Sequence, residues 1–131
     1  MGEQSLMHLI QHMQPQLNEG EYVFVSLKDP SSISRDLPIC EMKEKEGVTL
    51  ILAREEAERL GLSFDYIASW ITLNVHSALE AVGLTAAFSS ALAKHNISCN
   101  VVAGFYHDHL FVEKKEAQKA MQVLKTMTTS L

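Results

Sequence analysis

The sequence predicts an α+β fold with an antiparallel sheet in two interlocked halves, residues 1–66 and 67–131, the second built as a ferredoxin-like βαββαβ unit. Three observations carry this expectation. SWITLNVH (69–76) and ISCNVVAGFY (97–106) alternate apolar and polar residues, the period-two signature of strands with one buried face. Leu84, Phe88 and Leu92, and later Ala117, Ala120, Met121, Leu124 and Met127, recur at helical spacing. No Gly/Ser-rich linker separates the halves, so they are expected to share one architecture.

In chain order, Leu6, Leu9, Ile10, Met13 and Leu17 predict an opening amphipathic helix that ends near Pro15. EYVFVSL (21–27) is β-branched and aromatic enough for a strand. KDPSSISRDLP (28–38) is the most loop-like stretch, and a short strand around 39–42 follows it. VTLILA (48–53) is apolar nearly throughout and predicts a buried strand. REEAERLGL behind it predicts a short helix closed by Gly61, with its acidic residues in the first turn, where the helix dipole favours them.

In the second half, Ile71, Leu73 and Val75 share one strand face, with Trp70, Thr72, Asn74 and His76 on the other. A helix to about His95 stops at Asn96, then Ile97, Cys99, Val101 and Ala103 face one way, and HLFVEK forms a third strand before the last helix. Strand, helix, strand, strand, helix lacks the final strand of a βαββαβ unit. An open apolar edge invites aggregation, so the N-terminal half is expected to donate a strand to cover it.

Composition narrows the function. With 47% hydrophobic and 21% charged residues the chain reads as an ordinary globular protein. A net charge of −5 without a Lys/Arg cluster argues against a nucleic-acid footprint. No apolar run approaches the ~20 residues needed to span a bilayer, and the N-terminus lacks the basic start and apolar block of a signal peptide. Cys40 and Cys99 lie far apart outside any CxxC pattern, which favours two free thiols and a cytoplasmic location.

The most informative segment is HSALEAVGLTAAF (76–88). A strand ends at His76, residues 77–82 connect, and Gly83 sits where the chain turns into a helix. Glycine permits positive φ and close backbone approach, and the helix start offers free N–H groups to an anion. On local chemistry alone, a simple tight turn is the favoured reading of Gly83.

The run WITLNVHSALEAVGLTAAFSSALAKHNISCNVVAGFYHDHLFV resembles the ACT domain, a small regulatory ligand-binding module, and YVFVSL and EGVTLILAREEA extend a weaker likeness into the first half. The elements that carry it are the strand Ile71 to Val75, the corner Val82-Gly83-Leu84 and the strand entry Asn96-Ile97. The loop differs from many ACT loops, which place an acidic residue and a proline before the glycine. The resemblance implies a non-catalytic regulator, side-by-side pairing as a homodimer, and an amino acid or similar small molecule at the interface. In that scheme backbone amides near Val82, Gly83 and Leu84 hold a carboxylate, Glu80 faces an ammonium group, and His76, Ser77 and Asn100 add hydrogen bonds. No cofactor or metal is expected, and a partner enzyme would carry the output.

His107-Asp108-His109 reads first as the turn of a hairpin, with Tyr106 to His109 as the connection. The HxH spacing also suits a metal, which would need further ligands, and HLIQH (8–12) is not an HExxH motif. Ser89, His107 and Asp108 can be combined into a triad on paper, but no GxSxG elbow frames a nucleophile. Cys99 sits on an apolar strand face and is expected to pack. The alternatives to a ligand-binding regulator are an interaction module without ligand and a metal-dependent enzyme at His107 and His109.

Overall fold

The computed structural model describes residues 5–75 and 82–129, which form two compact units. One contains residues 20–68. The other combines the N-terminal residues up to Glu19 with the chain from Ser69 onward. Residues 5–19, which belong by sequence to the first half, therefore pack with the second.

In the 20–68 unit, β2 (Tyr22–Leu27) and β3 (Cys40–Lys43) flank β4 (Val48–Ala53), both antiparallel to it, and α2 (Arg54–Arg59) follows β4 directly. Tyr22 and Val23 also pair with Ala68 and Ile67 at the start of β5 (Ile67–Asn74). Val23, Val25, Leu50, Leu52 and Ala57 make its core, which is why the near-continuous apolar run of β4 has no solvent face in its centre. Arg54 pairs with Glu21 at 2.8 Å, tying the start of α2 to the chain entering β2.

The other unit opens with α1 (Leu6–His12) and β1 (Gln14–Leu17). The expected helix to Pro15 is thus shorter, and Leu17, assigned to its stripe, lies in a strand. Proline has no N–H to give a helix, and an edge strand tolerates it. β1 runs antiparallel along β5, with Gln14 opposite Asn74 and Leu17 opposite Ile71. It is the strand the C-terminal half lacked, donated by the N-terminal segment. The remaining elements are α3 (Leu84–Lys94), β6 (Cys99–Ala103), β7 (Asp108–Glu113), a 3-10 turn (Lys114–Glu116) and α4 (Ala117–Thr129). The strand order here is β1-β5-β7-β6.

One apolar layer explains the order. Ile71, Leu73 and Val75 of β5 and Leu110 and Val112 of β7 meet Leu84, Phe88 and Leu92 of α3, with Leu9 and Ile10 of α1 and Leu124 of α4. The period of two on the strands and of four on α3 are both the trace of this layer. Asn96 closes α3 with a positive φ of 61°, which asparagine tolerates better than most residues. Among the described residues, no helix is long and apolar enough to cross a membrane.

Candidate functional site

The corner that introduces α3 is built around Gly83. Its φ of +104° and ψ of −20° lie in a region that side chains disfavour. The first helical hydrogen bond runs from Ala87 N–H to the Gly83 carbonyl at 2.9 Å. The amides of Leu84, Thr85 and Ala86 therefore have no acceptor within the helix. A serine or aspartate at Gly83 would supply a capping oxygen; glycine has none to offer. Leu84 turns its side chain into the core and offers only its backbone, whereas Thr85 and Ala86 are exposed and Val82 stands 83% exposed beside them. From the other side α1 leans on the corner: a Cβ on Gly83 would lie 3.1 Å from Leu6 Cδ2.

The structure thus joins Val82, Gly83 and Leu84 in one bend, exposed at Val82 and buried at the Leu84 side chain, where the first amides of α3 have no acceptor within the helix. His76, Ser77 and Glu80, and the connection expected over 77–82 up to Ala81, lie outside the described residues. Asn100 is elsewhere within the subunit. It is exposed on β6 opposite Phe111, on the sheet face turned away from the helices, so one chain does not bring it to Gly83.

That second face carries a polar and aromatic cluster that sequence reading passed over. The indole Nε1 of Trp70 donates to His109 Nδ1 at 3.0 Å, and Thr72 Oγ1 lies 3.4 Å from the same nitrogen. Asn18 Nδ2 donates to Thr72 Oγ1 at 2.9 Å and to the Trp70 carbonyl at 3.1 Å. Trp70 stacks on Phe111 with ring centroids 6.3 Å apart. Because an indole N–H only donates, His109 Nδ1 accepts, and the neutral ring keeps its proton on Nε2. Burial, helped by His107, holds the His109 pKa below its ordinary value, with Asp108 acting against the shift. Burial pushes the Asp108 carboxyl up, partly offset by His109. The available signal was the alternation Trp70, Thr72, Asn74, which marks one face of β5.

The hairpin also differs from the expected turn at Tyr106 to His109. Gly104 N–H donates to the His107 carbonyl at 2.9 Å, which leaves Phe105 and Tyr106 as the tip. Asp108 and His109 already belong to β7, Asp108 opposite Ala103. Among the described residues His107 Nδ1 is buried without a hydrogen-bond partner, and no group of three His, Cys, Asp or Glu side chains could hold a metal ion.

Comparison with known proteins fits this architecture. An ACT domain model matches residues 1–69 and a second ACT domain model matches residues 66–126. A search of curated proteins finds no match. Among solved structures, a Vibrio cholerae protein of unknown function, described as a possible transport protein, is 49% identical, with a TM-score of 0.86 over 95% of this chain and 97% of that one. The regulatory subunit of aspartate kinase from Thermus thermophilus shares the fold at 7% identity, with a TM-score of 0.59 over 86% of this chain and 95% of its own. Aspartate kinase from Clostridium acetobutylicum does so at 11% identity and a TM-score of 0.65, over 91% of this chain and 34% of the enzyme. Two tandem model matches that together span nearly its whole length, on a sheet completed by its own N-terminal strand, place the chain in the ACT domain family.

Proposed function

We propose that this protein is a non-catalytic ACT regulator that binds an amino acid at the Gly83 corner. The observation that carries the reading is the glycine-capped start of α3, where Leu84, Thr85 and Ala86 present amides with no helical acceptor. A carboxylate is the natural guest of such amides, since it takes their hydrogen bonds and sits at the positive end of the helix dipole. Glu80 supplies the counter-charge for the ammonium group and His76 and Ser77 supply hydrogen bonds. Asn100 joins only across a subunit interface, which fits a homodimer as the working form.

A binding module without catalytic machinery acts through association, so its ligand must favour one of two states, in the dimer or with a partner enzyme, by differential affinity. The occurrence of this fold in a regulatory subunit of aspartate kinase supports such a role. The test is a thermal-shift screen across the amino acids. A ligand at ~100 times its dissociation constant stabilises the fold by about 2.7 kcal/mol. No shift with any amino acid would overturn the amino-acid reading and leave an interaction module.

A further inference from the structure

A second site lies along α3, away from Gly83. A cleft of about 480 Å³ runs between α3 and α4, within the ~300–1,000 Å³ of small-molecule pockets. The cleft starts at Ala87, one turn into α3, and runs to Lys94, about 15 Å along the helix axis from Leu84 at ~1.5 Å rise per residue, so its cationic end is separate from the corner already described.

Its walls follow the helical repeat. Ala87, Ser90, Ala91 and Lys94 line it from α3 at i, i+3, i+4 and i+7, and α4 presents Lys119, Gln122, Val123 and Thr126 at the same spacing. Small residues on α3 open the space, and Ala91, Val123 and Met127 give it an apolar floor that packs against the core below. Three cationic or titratable nitrogens rim it, from Lys94, His95 and Lys119, and among the described residues no carboxylate lines it. His95 spends Nδ1 on the Ala91 carbonyl at 3.0 Å, so Nε2 is the ring nitrogen left for a ligand. Neither lysine has an ion-pair partner among the described residues, whereas Lys115 nearby in sequence pairs with Glu113 at 3.2 Å. Both lysines are exposed, and in a chain of net charge −5 they give this cleft a locally positive rim that complements an anion.

We propose that the cleft between α3 and α4 binds a small organic acid, its carboxylate held by Lys94 and Lys119 and its apolar tail laid on Ala91, Val123 and Met127. Free amino acids are poor guests, because their ammonium group meets the same lysines. The two sites therefore take different chemistry.

The experiment is an amide chemical-shift titration of the full chain with octanoate, in parallel with octan-1-ol. Octanoate is expected to give saturable shifts at Ser90, Ala91, Lys94, Lys119 and Gln122, with any response of Thr85 and Ala86 following a separate dissociation constant, and octan-1-ol to bind more weakly. Lys94→Gln/Lys119→Gln is expected to weaken octanoate binding about tenfold, equivalent to losing ~1.4 kcal/mol. Ala91→Leu, which fills the floor without changing charge, should weaken it as well. Absence of saturable shifts into the millimolar range, shifts confined to the Gly83 end, equal affinity for the alcohol, or an unchanged dissociation constant in the double variant overturns the proposal. None of these results touches the amino-acid reading, which the thermal screen decides separately.

Discussion

The indole N–H of Trp70 is bound to Nδ1 of His109 across 3.0 Å, and that nitrogen can accept only while it is unprotonated. The bond therefore makes Trp70, the chain's one tryptophan, a reporter of His109.

Acidification should break it. Burial, with help from His107 and against Asp108, keeps the folded pKa of His109 below the ordinary 6.5. Between 6.5 and that lowered value the unfolded chain binds more protons than the folded one, so stability is lost as pH falls through this window. Asp108 acts in the opposite sense just above 3.8, where its raised carboxyl pKa gives the folded state more bound protons. Trp70 emission is expected to titrate with a midpoint below 6.5, and His109→Gln to abolish that titration. An identical titration in the variant would remove His109 as its cause.

A side chain at Gly83 should cost about 1–3 kcal/mol from the backbone alone, since φ is +104°. Gly83→Val also drives its Cβ toward Leu6 Cδ2, 3.1 Å away, and is expected to lower the melting temperature and abolish any amino-acid response. Combining it with Leu6→Ala separates the causes. Partial recovery of the melting temperature leaves the backbone as the main cost; full recovery would assign it to the Leu6 contact.

The parts legible in the sequence were those whose local period matches their burial. β5 and α3 show it, because Ile71, Leu73 and Val75 and then Leu84, Phe88 and Leu92 all face one layer. β1 was not legible. Leu17 and Met13 continue a helical spacing from Leu9, and only pairing with β5 makes Gln14–Leu17 a strand. Tertiary pairing overrode a local pattern. The hairpin slipped for a related reason: an Asp flanked by histidines is turn chemistry, yet the bond from Gly104 to His107 closes the turn earlier and Asp108 extends into β7. The corner at Gly83 was legible as a glycine. That Leu6 leans on it, and that Asn100 faces away, depend on packing of segments distant in sequence.

Cys99 should be a slow nucleophile. Burial pushes its thiol from 9.0 up to about 11, which lowers its thiolate fraction at pH 8 about 100-fold. Alkylation at pH 8 followed by mass spectrometry is expected to leave Cys99 largely unmodified in the folded chain and to label it readily in urea. Comparable labelling rates in both conditions would contradict the packed strand face.

The position of the Gly83 amides depends on how firmly α3 is held. Leu84, Phe88 and Leu92 place one anchor on successive turns, and Phe88, fully buried, is the largest of them. Phe88→Ala removes the middle anchor and leaves a cavity, at a cost of about 3–5 kcal/mol. Phe88→Leu keeps most of the volume and should cost less. Urea unfolding of the two variants is expected to show this order with an unchanged slope. Phe88→Ala should also broaden the amide resonances of Thr85 and Ala86 before those of β7, because the helix start loses its nearest core contact after Leu84. Sharp, unshifted resonances there would mean that Leu84 and Leu92 alone fix the corner.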